Sequence, residues 1–373
     1  MKHQYLFEIG GENTELGKIE ALELLSNENY KPKLILDETS IITIDVSNII
    51  KPKIIRRLGM TKRISKILHQ DKDIHLEKVV DKIPILDIGQ RTFAIRQIGN
   101  QLKSEKKIAT LLGEKIPKHN KTHLSNPEVK ILYYTGIKTI ISIWDSKLET
   151  YYKKCLKHHI NNRPFFSPIS IHPRIARSMI NLANCSDGDS IIDPFCGTGG
   201  MLIEASDMGI NSFGIDIMKK MVDYSIGNLE HFGLQSKVIE GDIVDINNYK
   251  FNAIVTDPPY GISTTTLGEG IEKLMTRCLE LFAKKLESAF NQGEIDGINS
   301  KLRNSIKIWS PYREKLSKSD LLKSGIEILG DSIFKTWSCY SNKKYHCGEC
   351  ESCNNRKVAF TKAGIKDKTK YLK

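Results

Sequence analysis

The stretch FNAIVTDPPYG ends a strand-like apolar run in the tetrapeptide Asp257, Pro258, Pro259, Tyr260. A carboxylate followed by two prolines and an aromatic ring suits one demanding reaction, methyl transfer to an exocyclic amine on a base. The lone pair of that nitrogen is delocalised into the ring, so the amine must be held pyramidal before it can attack. The Asp257 carboxylate and the Pro258 carbonyl are two acceptors for its two N–H groups. The prolines fix φ and remove backbone donors, and Tyr260 offers a face on which a flipped base can stack. Most of the acceleration would come from positioning and preorganised acceptors.

Such a reaction needs a donor pocket, and the residues upstream have the types for one. The run DPFCGTGGMLIEA reads as the end of a buried strand, a turn at Gly197, Gly199 and Gly200, and a helix. NSFGIDI supplies a second strand ending at Asp216, and GDI ends a third at Asp242. Glycines let the backbone approach a ligand, and an acid at the second strand's end accepts ribose hydroxyls. The turn carries no GKT or GKS for phosphates and opens instead with Asp193 and Pro194. It therefore suits a ligand with a ribose and a cationic centre but no phosphate, with Asp242 placed to meet an adenine. Cys196, inside the turn, reads as a small packing residue, because amine methylation needs no covalent intermediate.

A second chemistry sits near the other end. Cys339, Cys347, Cys350 and Cys353 are separated by seven, two and two residues. C-x-x-C-x-x-C wraps three thiolates around one tetrahedral zinc, with Cys339 closing a four-ligand structural site. Free thiols or an iron–sulfur cluster are the alternatives.

The elements that must position these residues follow from composition and pattern. The 373 residues are enough for several domains. No apolar run of about 18 residues occurs, and Glu8, Glu12, Glu15 and Glu20 interrupt the first twenty, so neither a membrane span nor a secretory leader is expected and the protein reads as cytoplasmic. The net charge of +12 favours a polyanionic partner. Much of it gathers where no acid occurs between Val46 and Gln70, a run holding Lys51, Lys53, Arg56, Arg57, Lys62, Arg63 and Lys66. A solvated helix face and a phosphate-contacting surface both fit that run.

The spacing predicts an α+β module over residues 1–70 and another over 71–155, the latter containing QRTFAIRQIG with Arg91 and Arg96. NPEVKILYYTGIKTIISIWD reads as two strands around a Thr-Gly turn, and Trp144 and Trp309 as packing residues. The proline-rich segment 156–170 is a linker, in which His158 and His159 have no neighbouring partner in sequence.

Residues 171–288 resemble a class I S-adenosylmethionine-dependent methyltransferase of the amino-methylating kind, on DPFCGTGG, Asp216, Asp242 and DPPY. QRTFAIRQIG and the following strand pair resemble a THUMP RNA-binding module. RPFFSPISIHPRIARSMINLA resembles the joining segment of archaeal tRNA guanine-N2 methyltransferases acting on position 10. The resemblance implies a ferredoxin-like and THUMP N-terminal half, a Rossmann-like catalytic domain, S-adenosylmethionine as donor and tRNA as partner. Lys51, Lys53, Arg56, Arg57, Arg63, Arg91 and Arg96 would then lie toward the RNA. The DPPY form is shared with DNA adenine-N6 enzymes, and a tRNA-binding chain without activity is a further alternative.

From about Ala289 to Lys373, the segments SPYREKLSKSDLLKSGIEILG, TWSCY and CGECESCNNR resemble the zinc-bearing end of 7-cyano-7-deazaguanine synthase. That enzyme needs an SGGxDS loop for ATP, and this chain has none, so synthase activity is not expected. The junction implies a methyltransferase core cut off after its fourth strand, its edge bare or covered by the tail, with KIWSP as a possible strand.

Overall fold

In the computed structural model, the described residues are 3–10, 13–99, 105–165, 167, 170–259 and 270–291, then 319, 322–323, 326, 334, 345–349 and 351–372. Tyr260, Trp309, Cys339, Cys350 and the KIWSP segment lie outside them. The chain divides into two units, Met1–Ile295 and Asp296–Lys373.

The first unit begins with β1 (His3–Ile9), α1 (Thr14–Asn27), β2 (Lys33–Glu38), β3 (Ile41–Val46) and α2 (Pro52–Arg57). Asn13 caps α1 by accepting from the Leu16 N–H at 2.9 Å. Leu24 and Leu25 of α1 bury against Tyr5, Phe7, Ile42 and Ile44. β4 (Thr61–Asp71) follows, then α3 (Leu76–Lys82), β5 (Phe93–Gln97), α4 (Glu105–Glu114), β6 (Val129–Thr135) and β7 (Thr139–Asp145). Phe93, Ile95, Ile108, Leu112, Val129 and Ile131 form a second core.

The two modules expected on either side of residue 70 share one seven-stranded sheet, in the order β2-β3-β1-β4-β7-β6-β5. β4 crosses that boundary, pairing antiparallel with β1 on one side and β7 on the other. The basic run is thus neither a long helix face nor a loop. It covers a two-turn helix and then a central strand whose lysines, Lys62 and Lys66, are exposed while Ile64 and Ser65 are buried.

Beyond three short 3-10 turns comes α5 (Pro173–Leu182), with Pro173 in its first turn and His172 accepting from the Arg174 N–H at 3.2 Å. A four-stranded parallel sheet follows, built from β8 (Ser190–Asp193), α6 (Gly200–Asp207), β9 (Asn211–Asp216), α7 (Lys219–His231), β10 (Lys237–Glu240) and β11 (Ala253–Ile254). Its order is β10-β9-β8-β11, the arrangement of a Rossmann-like α/β fold. Ile191 and Ile192 are fully buried, as a central parallel strand requires. α8 (Ile271–Asn291) packs Leu274 and Cys278 against Ile243. Among the described residues β11 pairs on one side only, and a groove of about 600 Å³ lined by Met179, Leu182, Val255 and Phe282 runs along it.

Within this unit the two sheets are joined through α1, α2 and α5. Glu20, fully buried, accepts from the Gly59 and Met60 N–H groups and from Asn181 Nδ2 at 2.8 to 2.9 Å. Gly59 has to be glycine for this approach, since a Cβ there would meet the Arg174 carbonyl at 2.5 Å.

The second unit contains α9 (Glu351–Ala363), preceded by a turn at 345–349. His346 bridges to Tyr371, and Phe360 stacks on Phe334 with ring centres 5.5 Å apart. No described helix in either unit is long and apolar enough to cross a membrane.

Candidate active site

The sheet is parallel, so every strand delivers its last residue to the same edge. β8 ends in Asp193, β9 in Asp216, β10 leads to Asp242 within two residues, and Asp257 follows β11 by three. The four acids chosen from sequence therefore line one rim, the position at which open α/β sheets bind ligands.

Asp193 is buried, and its Oδ1 accepts from Thr256 Oγ1 at 2.6 Å and from the Phe195 N–H at 3.1 Å. Burial pushes its carboxyl up to about 7, against those two hydrogen bonds and with the help of the Asp216 and Asp257 charges. Thr256 is the residue before Asp257, so this bond ties the glycine-loop strand to the DPP corner. Pro194 is buried, while Asp257, Pro258 and Pro259 are half-exposed.

The glycine loop is shaped by backbone that side chains rarely adopt. Gly199 has φ +82°, and a Cβ on it would lie 2.5 Å from Ser225 Oγ; Gly197 has φ +51°. The Gly197 N–H donates to Asp216 Oδ2 and the Met218 N–H to Oδ1, both at 2.9 Å. Burial raises the Asp216 carboxyl despite these bonds. Each of its oxygens keeps a lone pair for a ligand hydroxyl. Cys196 is buried among Leu202, Ile203 and Leu229, and burial pushes its thiol well up, as a packing residue requires.

Asp242 has a use that the sequence did not suggest. Arg277 of α8 grips it with two bonds of 2.7 and 3.0 Å, and the Val244 N–H donates to it at 3.0 Å. Partial burial opposes ionisation, yet these donors hold the carboxyl below its usual range.

The basic residues divide. Lys51, at the N-cap of α2, and Arg56 within it are exposed. Lys53 pairs with Asp187, and Arg63 with Glu8 at 3.5 Å. Arg91 donates to the Ile88 carbonyl at 2.6 Å, and Arg96 to the carbonyls of Ile95 and Leu124 at 2.9 and 2.7 Å. Arg57 has to be withdrawn from any phosphate-contacting set. It is 5% exposed and commits its guanidinium to Asn181 Oδ1, Glu28 Oε1 and the Cys185 carbonyl. A buried guanidinium so enclosed is a structural brace.

Sequence reasoning also missed the partner of His158, which is fully buried with Nδ1 2.8 Å from Glu204 Oε1. Arg177 and Lys157 pair with Glu204 and Asp207 in the same cluster, and Tyr151 donates to Asp207 at 3.0 Å. Two cations thus already balance its two carboxylates, which makes it an ionic brace between linker, α5 and α6. No local signal reveals it, since Glu204 lies 46 residues from His158.

Comparison with known proteins places this geometry. The family model described as RMKL-like, methyltransferase domain, matches residues 161–293. The tRNA (guanine(10)-N2)-dimethyltransferase of Pyrococcus abyssi is 36% identical over 251 residues, covering 65% of this chain and 75% of that one. The chain belongs to this dimethyltransferase family. The family's Methanocaldococcus jannaschii member is 30% identical over 306 residues, covering 72% of this chain and 85% of its own. A second family model, Queuosine biosynthesis protein QueC, matches residues 231–364. The 7-cyano-7-deazaguanine synthase of Nitratiruptor sp. is 44% identical over 94 residues, 25% of this chain and 39% of that enzyme. The dimethyltransferase likeness thus spans most of the chain, and the synthase likeness lies toward its C-terminus.

Proposed function

We propose that the chain transfers a methyl group from S-adenosylmethionine to the exocyclic N2 amine of a guanosine in tRNA, at position 10. One observation carries the reading: the Thr256–Asp193 bond fastens the DPP corner to the glycine loop, so base acceptors and donor pocket share one rim.

The residues present fit the donor. The positive-φ turn at Gly197 and Gly199 exposes backbone to a ligand, Asp216 keeps acceptor capacity for ribose hydroxyls, and Asp193 supplies negative charge to a cationic centre. The donor, when bound, supplies an electrophilic methyl on a sulfonium. Asp257 and the Pro258 carbonyl hold the two amine hydrogens, and Tyr260 stacks on the base. Asp242 would reach the adenine alongside its ion pair with Arg277.

The RNA face is formed by the N-terminal sheet's basic side chains. Lys51 and Arg56 contact phosphate directly, and Lys53, Arg63, Arg91 and Arg96 do so through donors not committed to protein acceptors. In the second unit, Cys339, Cys347, Cys350 and Cys353 hold a structural zinc.

A second reading is a tRNA-binding chain without transfer. The unpaired outer edge of β11 among the described residues favours it.

Transfer of labelled methyl from S-adenosylmethionine to an unmodified tRNA transcript separates the two. The wild-type chain should label it, while Asp257→Ala, or a transcript with its position-10 guanosine replaced, should lose at least about a hundredfold in rate. Transcript binding without any labelling would sink the transferase reading.

A further inference from the structure

Arg163 is 5% exposed, in the linker preceding the catalytic sheet. Its Nε donates to the His158 carbonyl at 2.9 Å, and among the described residues neither Nη1 nor Nη2 has a hydrogen-bond partner. A guanidinium withdrawn from water with both terminal nitrogens unused is costly, and such groups have acceptors in stable proteins. The nearby acid makes no hydrogen bond to it among the described residues. Glu204 already meets His158 through Oε1 and Arg177 through Oε2.

The fork instead lies against the start of α6. A Cβ built on Gly200 would stand 3.4 Å from Nη1 and 3.7 Å from Nη2. Gly199, the residue capping this helix, has no side chain to satisfy the first-turn N–H groups. Unused N–H donors, a helix dipole and an unpaired guanidinium converge on one spot, and their common complement is an anion.

The linker is anchored there. Asn228 Nδ2 donates to the carbonyls of Phe165 at 2.7 Å and Thr198 at 2.9 Å, and the Phe165 N–H donates to Asn228 Oδ1 at 3.1 Å. Ser170 Oγ lies 2.9 Å from Thr198 Oγ1, and Phe165 stacks on Tyr224 with ring centres 4.7 Å apart. Arg163 is therefore built into the wall of the glycine loop.

We propose that Arg163 is a specificity-determining residue that binds the α-carboxylate of the methyl donor's amino-acid end, an inference that rests on the donor reading above. That end is a zwitterion. Arg163 and the α6 start receive its negative charge, and Asp193 offers the complement for its ammonium. Arg163 thereby selects a nucleoside that carries an amino acid over one that does not.

The test is calorimetric binding of S-adenosylhomocysteine and of 5′-methylthioadenosine, which lacks the amino-acid end, to the full chain. In Arg163→Met, affinity for the first should fall about ten- to a hundredfold, the size of a lost charge-assisted bond, while affinity for the second stays unchanged. Arg163→Lys should recover part of the ratio between the two ligands, and keeps the question answerable if the methionine variant fails to fold. Equal losses for both ligands, or no loss for either, would overturn the inference and leave the donor reading standing. A wild-type chain that binds neither ligand would overturn the donor reading, and this inference with it.

Discussion

At the scale of single residues, Asp193 makes the site sensitive to pH. Its carboxyl moves from 3.8 to about 7 because it is buried, next to the Asp216 and Asp257 charges. With the folded value raised, the native chain binds more protons than the unfolded one between these values. Stability therefore falls as pH rises from about 4 to about 7, and the whole penalty is present above that. A cationic ligand favours the ionised form, so donor binding should release a proton below pH 7. Affinity for S-adenosylmethionine should weaken by up to about tenfold between pH 8 and pH 6, and Asp193→Asn should flatten the profile. Calorimetry in buffers of different ionisation enthalpy reads both, and a pH-independent affinity in the wild type would refute the assignment. Asp193 was legible in the sequence because it closes an apolar strand and a glycine turn and helix follow it without a break. Asp242's grip by Arg277, the Glu204 partner of His158 and the burial of Arg57 were not, because their partners lie 35, 46 and 124 residues away. Only the fold makes such pairs neighbours.

At the scale of elements, the strands of the parallel sheet and the β6–β7 pair were legible, whereas β4, the strand that joins the two expected modules into one sheet, was not. β8 and β9 are short runs closed by an acid, and an acid follows β11 three residues on. β4 was hidden because its outward face carries Lys62 and Lys66, so a central strand read as a charge run. What holds the two sheets together is likewise a three-dimensional fact. Asn181 of α5 donates to Glu20 of α1 and to the Arg57 carbonyl, and accepts from Arg57 Nε at 3.2 Å. Burial raises the Glu20 carboxyl, and the donors surrounding it are what make its charge tolerable. Asn181→Leu removes three bonds and leaves buried polar atoms at both ends. It should destabilise the first unit by about 2–4 kcal/mol, the sum expected for more than one orphaned buried group. A urea midpoint unchanged from wild type would show that this contact does not couple the sheets. Loss of activity without loss of stability would place Asn181 in the chemistry instead.

At the scale of the whole molecule, the question is whether the two ancestries in one chain depend on each other. Every residue assigned here to donor, base or RNA lies in Met1–Ile295, and the cysteine cluster lies in Asp296–Lys373. Cys347 Sγ and Cys353 Sγ are 3.9 Å apart, with Cys353 buried. Two thiolates on one tetrahedral zinc, with bonds of about 2.3 Å, stand about 3.8 Å apart, so the described half of the cluster already has a ligand separation. On the proposed reading the four cysteines would fill every position on the metal, which would make it a staple for the tail and not a participant in transfer. The purified chain should carry about one zinc, and the Cys347→Ser, Cys353→Ser double variant should lose it. Chelation should lower the protection of α9 against hydrogen exchange and leave S-adenosylhomocysteine affinity unchanged. If removing zinc also abolishes that affinity, the tail is an integral part of the methyltransferase fold. Binding that survives would mean that the first unit closes its donor pocket without the tail's metal.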